Sequence, residues 1–171
     1  AIKYFTQAIE TDPRCARAYS LRGAAYWLKV WATVGHAPSD CRMYEIFRNK
    51  FSNHDELDLA LNDLKEAIRL DPRFAEAHYG MGLVYFDKAL YPDAITSFNA
   101  VLAIEPEDCD AYYTQAIAYS KMGDKQHALN NLNKIIELMP DYADAFFQKG
   151  LIHYELDENK EGLYDITEAI K

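Results

Sequence analysis

The residues with the chemistry of a metal site are His36, Cys41 and His54, all in one stretch. Their intervals match no established zinc pattern, which groups four ligands in close pairs. We expect no metal there. The same stretch interleaves Arg42, Arg48 and Lys50 with Tyr44, Phe47 and Phe51, a mixture that suits nucleic acid. Three cations in an acidic chain read better as a solvated helix face. Glu105, Glu107 and Asp108 surround Pro106. Paired carboxylates act as general acid and base only within a pocket, and carboxylates around a turn proline read as helix-end charges. His78 and His153 fall where an apolar stripe wants aromatics, so packing is their expected role. The sequence has no glycine-rich phosphate loop, no paired-histidine helix motif and no nucleophile elbow. The expectation is a protein that is not an enzyme and takes no cofactor.

Charge and composition narrow the partners. The chain has 171 residues, 18 basic and 27 acidic side chains, and a formal net charge of −9. Neutralising phosphates needs clustered Lys and Arg, so nucleic acid is not an expected partner. Half the residues are hydrophobic, enough for a continuous core, but no apolar run is long enough to span a membrane. Cys15, Cys41 and Cys109 are odd in number and irregularly spaced. That is no disulfide framework and suggests a reducing, intracellular and cytoplasmic setting.

The elements that would position any site show a period. Pro72, Pro106 and Pro140 are evenly spaced, each 34 positions after the last. The stretch from Ala75 to Pro106 reads as two helices in hairpin, and a period of this length marks an array of such hairpins. Helices are expected near 75–89, 92–104, 109–122, 125–138, 143–156 and 159–170. Pro92 fits a first helical turn, where its missing N–H costs little. Gly123-Asp124 and Asp157 to Asn159 supply turns inside hairpins. Ala1, Phe5 and Ala8 share one face of a helix closed by Pro13. That helix is the second of a pair, so the chain is expected to be a piece of something longer. A helix then runs from Ala16 to about Val34, and Gly23 within it implies a close helix neighbour.

One hairpin is interrupted. Gly82 and Ala94 are 12 positions apart, as are Ala116 and Ala128, but Gly23 and Ala60 are 37 apart. About 25 residues, near 30–54, are therefore inserted. Within them Gly35 to Ser39 reads as a turn, and Asp40 as the cap of a short helix with Met43, Ile46 and Phe47 on one side. These three are the insertion's candidates for docking on the array or on a partner. Asn53 with Glu56 resembles a capping box for the next helix, which runs to about Leu70.

The recurring residues resemble the tetratricopeptide repeat (TPR) family, whose repeat has an aromatic at position 4, Leu-Gly at 7 and 8, Tyr at 11, Ala at 20, Phe at 24, Ala at 27 and Pro at 32. One repeat reads His78, Met81, Gly82, Tyr85, Ala94, Phe98, Val101 and Pro106. The next reads Tyr112, Gln115, Ala116, Tyr119, Ala128, Leu132, Ile135 and Pro140. The last reads Phe146, Lys149, Gly150, His153, Gly162, Ile166 and Ala169. The interrupted one reads Tyr19, Arg22, Gly23, Tyr26, then Ala60, Leu64, Ala67 and Pro72. The resemblance implies an all-α fold, a right-handed superhelix of antiparallel helix pairs (a TPR solenoid). It divides a single array over 1–171 into the tail of a truncated repeat (1–15), the interrupted repeat (16–74), repeats at 75–108 and 109–142, and a truncated final repeat (143–171).

The resemblance also implies that repeat positions 2, 5, 9 and 12 line a concave groove. Here these include Arg17 and Trp27; Glu76, Tyr79, Leu83 and Phe86; Asp110, Tyr113 and Ile117; and Asp144, Phe147, Leu151 and Tyr154. Position 2 is acidic and position 5 aromatic in three consecutive repeats. An aromatic and aliphatic strip with an acidic margin suits a peptide or helix with apolar anchors and some Lys or Arg. The competing reading is that these aromatics are core. The family's chaperone-tail binders use inward Lys, Asn and Arg, and Ser20, Ala24, Tyr79, Asp110 and Tyr113 stand there instead. Chaperone-tail binding is therefore not expected, and sugar-transfer relatives' inward asparagines are absent too. The expected function is a protein-interaction scaffold. The alternatives are a permanent subunit of a large assembly and a targeting module of a larger enzyme.

Overall fold

A computed structural model describes residues 1–34 and 54–170, with side chains described over 1–32 and 55–170. The expectations for the insertion lie outside the described residues: the short helix with Met43, Ile46 and Phe47, the ligands His36 and Cys41, and the Asn53 cap. The described residues form nine α-helices and no strand. They are α1 (Ile2–Thr11), α2 (Ala16–Val34), α3 (His54–Leu70), α4 (Ala75–Asp87), α5 (Tyr91–Ile104), α6 (Cys109–Lys121), α7 (Lys125–Leu138), α8 (Ala143–Glu155) and α9 (Asn159–Ala169). The six helices expected between 75 and 170 are all present, with ends within two residues of the expectation. Pro92 does sit in the first turn of α5.

Two compact units divide the chain at Lys88 and Ala89. In the first, α1 packs on α2, α2 on α3, and α3 on α4. Leu57, Ala60, Leu64, Ala67, Ala77 and Val84 form its core. Ala60, Leu64 and Ala67 recur at i, i+4 and i+7, which keeps one stripe of α3 inside. Gly23 behaves as its helix propensity cost suggested. A Cβ there would stand 3.0 Å from the Leu64 side chain and 3.1 Å from the Ala60 carbonyl oxygen, so α2 and α3 approach closely only because that atom is missing.

In the second unit, α5 packs on α6, and each helix from α6 to α9 packs on the next. Ala116, Ala128, Leu132, Ile135, Ala145 and Ile152 are its buried cluster. Side-chain caps start two of its helices. Asp108 accepts from the Ala111 N–H at 2.8 Å, and Asp124 from the His127 N–H at 3.2 Å. Ala89, Gly123 and Asp157 occupy the same point of successive repeats, just after the first helix of each pair, and all have positive φ (57°, 83° and 62°). The chain must reverse there within a few residues, and the left-handed conformation does it.

A second recurrence emerges only from the packing. Position 7, Leu in the family, is Arg22, Gln115 and Lys149 in three of the four repeats. Each polar side chain meets a polar partner 16 register positions on. Arg22 forms a two-pronged pair with Asp63, with both N–O distances 2.7 Å. Gln115 accepts from the Asn131 amide at 2.8 Å. Lys149 stands 3.3 Å from Asp165, which is 1% exposed and also bonds His153 Nδ1 at 2.7 Å. Asp63, Ser97, Asn131 and Asp165 share one repeat position and all are polar. A buried polar atom without a partner is costly, so each departure from Leu is matched on the facing helix. His153 is therefore a hydrogen-bonded residue as well as a packing one.

Candidate functional surface

In the first unit the candidate residues lie on α2 and α4. Arg17 and Glu76 are exposed, while Trp27, Tyr79, Leu83 and Phe86 are half-buried. The Trp27 indole N–H donates to Asp87 at 2.6 Å, and the Trp31 indole donates to the same carboxylate oxygen at 2.9 Å. The two rings lie 5.9 Å apart, centre to centre. One acid thus fixes two large rings on the C-terminal half of α2. Trp27 also packs against the core, so the core reading of the aromatics is partly right here. Sequence reasoning missed Asp87 and Trp31. Trp31 lies one turn beyond Trp27, and that spacing was the available signal.

In the second unit the candidates lie on α6 and α8. Asp110 and Asp144 are exposed, and Tyr113 and Ile117 are half-buried. Phe147 is 44% exposed, Leu151 38% and Tyr154 40%. Tyr113 packs partly against the buried cluster. Its ring lies 5.9 Å from that of Tyr142, tilted by 49°. Burial raises the Tyr113 hydroxyl above its ordinary pKa and the Asp144 carboxylate adds to this, with a hydrogen bond from Gln148 opposing. Tyr142 is raised too, by burial and then by Asp110 and Asp144. Asp144 thus raises both phenols, and Asp110 raises Tyr142. Tyr142 was missed. It precedes α8 as Phe74 precedes α4, and that repeated aromatic was its signal.

Among the described residues, neither Asp110 nor Asp144 has a cationic partner. Acids elsewhere do: Glu155 with Lys125, Glu137 with Lys134, Asp58 with Lys88, and Glu56 with Lys29. No group of three or more His, Cys, Asp or Glu among the described residues could hold a metal ion. None of the described helices is long and apolar enough to cross a membrane. Burial and three neighbouring acids push the Cys109 thiol up, which opposes the thiolate form a nucleophile needs.

A profile described as TPR repeat matches residues 55–88, and one described as tetratricopeptide repeat matches 110–142. The chain carries tetratricopeptide repeats. The first match pairs α3 with α4, half a TPR unit out of phase with the 75–108 division, and the second pairs α6 with α7. No curated protein sequence matches the chain. Solved TPR structures do resemble it in fold. A structure titled crystal structure of MamA is 21% identical with a TM-score of 0.76, over 99% of this chain and 84% of that one. MamA 41-end from Desulfovibrio magneticus RS-1 is 18% identical with a TM-score of 0.77, covering 99% and 81%. TTC0263, titled a thermophilic TPR protein in Thermus thermophilus, is 25% identical with a TM-score of 0.66, covering 89% and 71%. The fold is the all-α TPR solenoid, and the chain is in general terms a protein-interaction scaffold.

Proposed function

We propose that the α6–α8 face of the second unit binds a peptide or helix that carries apolar anchors and some Lys or Arg. One observation carries this reading. Phe147, Leu151 and Tyr154 stand more than a third exposed in one row of α8, beside carboxylates that no cation of the described chain neutralises. Exposed apolar rows of this sort are usually interaction surfaces. The net charge of −9 favours a basic partner and opposes nucleic acid. No inward basic clamp supports chaperone-tail binding, and a cytoplasmic setting fits three thiols without a disulfide framework.

The test belongs on Phe147 and Leu151, because Tyr113 packs against the core and a charge there would threaten the fold. Phe147→Ser with Leu151→Ser should lose captured partners in a pull-down while its circular dichroism stays that of the parent. A folded double variant that captures the same proteins at the same yield would defeat the reading. A second reading, a permanent assembly subunit, is favoured by α9, where Leu163 is 61% and Tyr164 63% exposed. Light scattering separates the two: a monodisperse monomer supports the adaptor, and concentration-dependent association supports the subunit.

A further inference from the structure

We infer that this surface reads its partner in a fixed order, a basic side chain at the Asp110–Asp144 end and an apolar anchor about two helical turns away at Ile117 and Leu151. The inference rests on the binding reading above and deepens it by naming what is recognised and in which register.

Three observations lead to it. First, the two helices present the same series. On α6 it is Asp110, Tyr113, Ile117, and on α8 it is Asp144, Phe147, Leu151. The acid and the aliphatic residue are seven apart in each, about 10 Å along a helix at 1.5 Å per residue. The two copies run in the same direction because both are first helices of a pair. The surface is therefore polar along its length, with charge at one end and apolar surface at the other.

Second, the charged end is built from both helices. The Tyr113 and Tyr142 rings touch at 5.9 Å, and carboxylates from α6 and α8 both act on the Tyr142 hydroxyl. A guanidinium or ammonium placed there meets two carboxylates that no described cation neutralises, beside that ring pair. Charge-assisted hydrogen bonding then favours a cation at that position.

Third, among the described residues the charge at that end stays unsatisfied. Lys125 is the first residue of α7, but it pairs with Glu155 and contacts Ser120, at the opposite ends of α8 and α6. Asp110 and Asp144 lie in first helical turns, where the helix dipole favours negative charge. A bound cation would replace water there, whereas an acidic or neutral residue would leave two charges facing it.

The experiment is selection of displayed random 16-residue peptides on the full chain. The expected peptides carry Arg or Lys two helical turns from an aromatic or aliphatic residue. Their affinity should fall about tenfold on Asp110→Asn with Asp144→Asn. Binding of the same peptides with the basic residue replaced by Gln should be unchanged by that double variant. If selected peptides lose binding on Phe147→Ser with Leu151→Ser yet show no basic preference, the surface binds but this register is overturned. The register is equally overturned if the Asn double variant leaves the basic peptides' affinity intact. If no selected peptide depends on Phe147 and Leu151, the binding reading falls as well.

Discussion

Asp63 and Asp165 are carboxylates on second helices, each largely out of water, and each held by a cation on the first helix of its own pair. Taking away one member of a largely buried pair strands the other. Arg22→Met should therefore cost about 2 kcal/mol in denaturant unfolding, since Arg22 retains some exposure to solvent. The register offers its own repair. Met81 and Ser97 occupy the equivalent two positions elsewhere in the chain. Arg22→Met with Asp63→Ser should recover most of the loss, and a double-mutant cycle reads the coupling. Little or no recovery would show that the pair matters for something beyond satisfying its own charges. Arg22 itself was legible as a departure from Leu. Its partner was not, because a polar residue recurring once per repeat looks like ordinary surface until burial shows it is inside.

At the scale of helices and turns, the period and the proline and glycine punctuation set nearly every boundary. The turn after each first helix is the informative part. Ala89 holds φ 57° where the next repeat has Gly123 at 83°. A left-handed conformation costs an ordinary L-residue about 1–2 kcal/mol. Ala89→Gly should raise stability by about 1 kcal/mol, offset slightly by the freedom glycine has when unfolded, and the thermal midpoint measures it. Asp124, which caps α7, makes a pH prediction. Its carboxyl is held below its ordinary pKa, first by the hydrogen bond to the His127 side chain and then by the His127 backbone N–H. A lowered carboxylate contributes stability that is complete above its unfolded pKa and disappears as pH falls through the folded one. The difference in midpoint between the parent and Asp124→Asn should thus be largest near neutrality and shrink once pH drops below about 4. A difference that grew in acid would contradict the cap geometry.

At the scale of the whole molecule, the charge of −9 should show in kinetics. Association with a basic partner should slow as salt is added, with a smaller effect on dissociation, because exposed charges steer encounter more than they hold a complex. Stopped-flow mixing at several ionic strengths reads this, and a salt-independent on-rate would argue for a purely apolar contact.

The sequence by itself determined the architecture. Apolar residues at fixed steps of a regular hairpin period have one way to leave water, which is to stack successive hairpins. It also determined which side chains could form a surface, since Asp110, Tyr113, Asp144 and Leu151 fall at fixed points of that period. Only tertiary structure decided which of these are spent on the core and which remain outside. Trp27 and Tyr113 lean into it, while Phe147 and Leu151 stay more than a third exposed. The physical reason is that burial and pairing belong to neighbours distant in sequence. Asp87 gathers two indoles from another helix, and the Tyr142 ring meets that of Tyr113 on α6. A repeat period fixes where a residue sits along its helix but not what the facing helix brings to meet it.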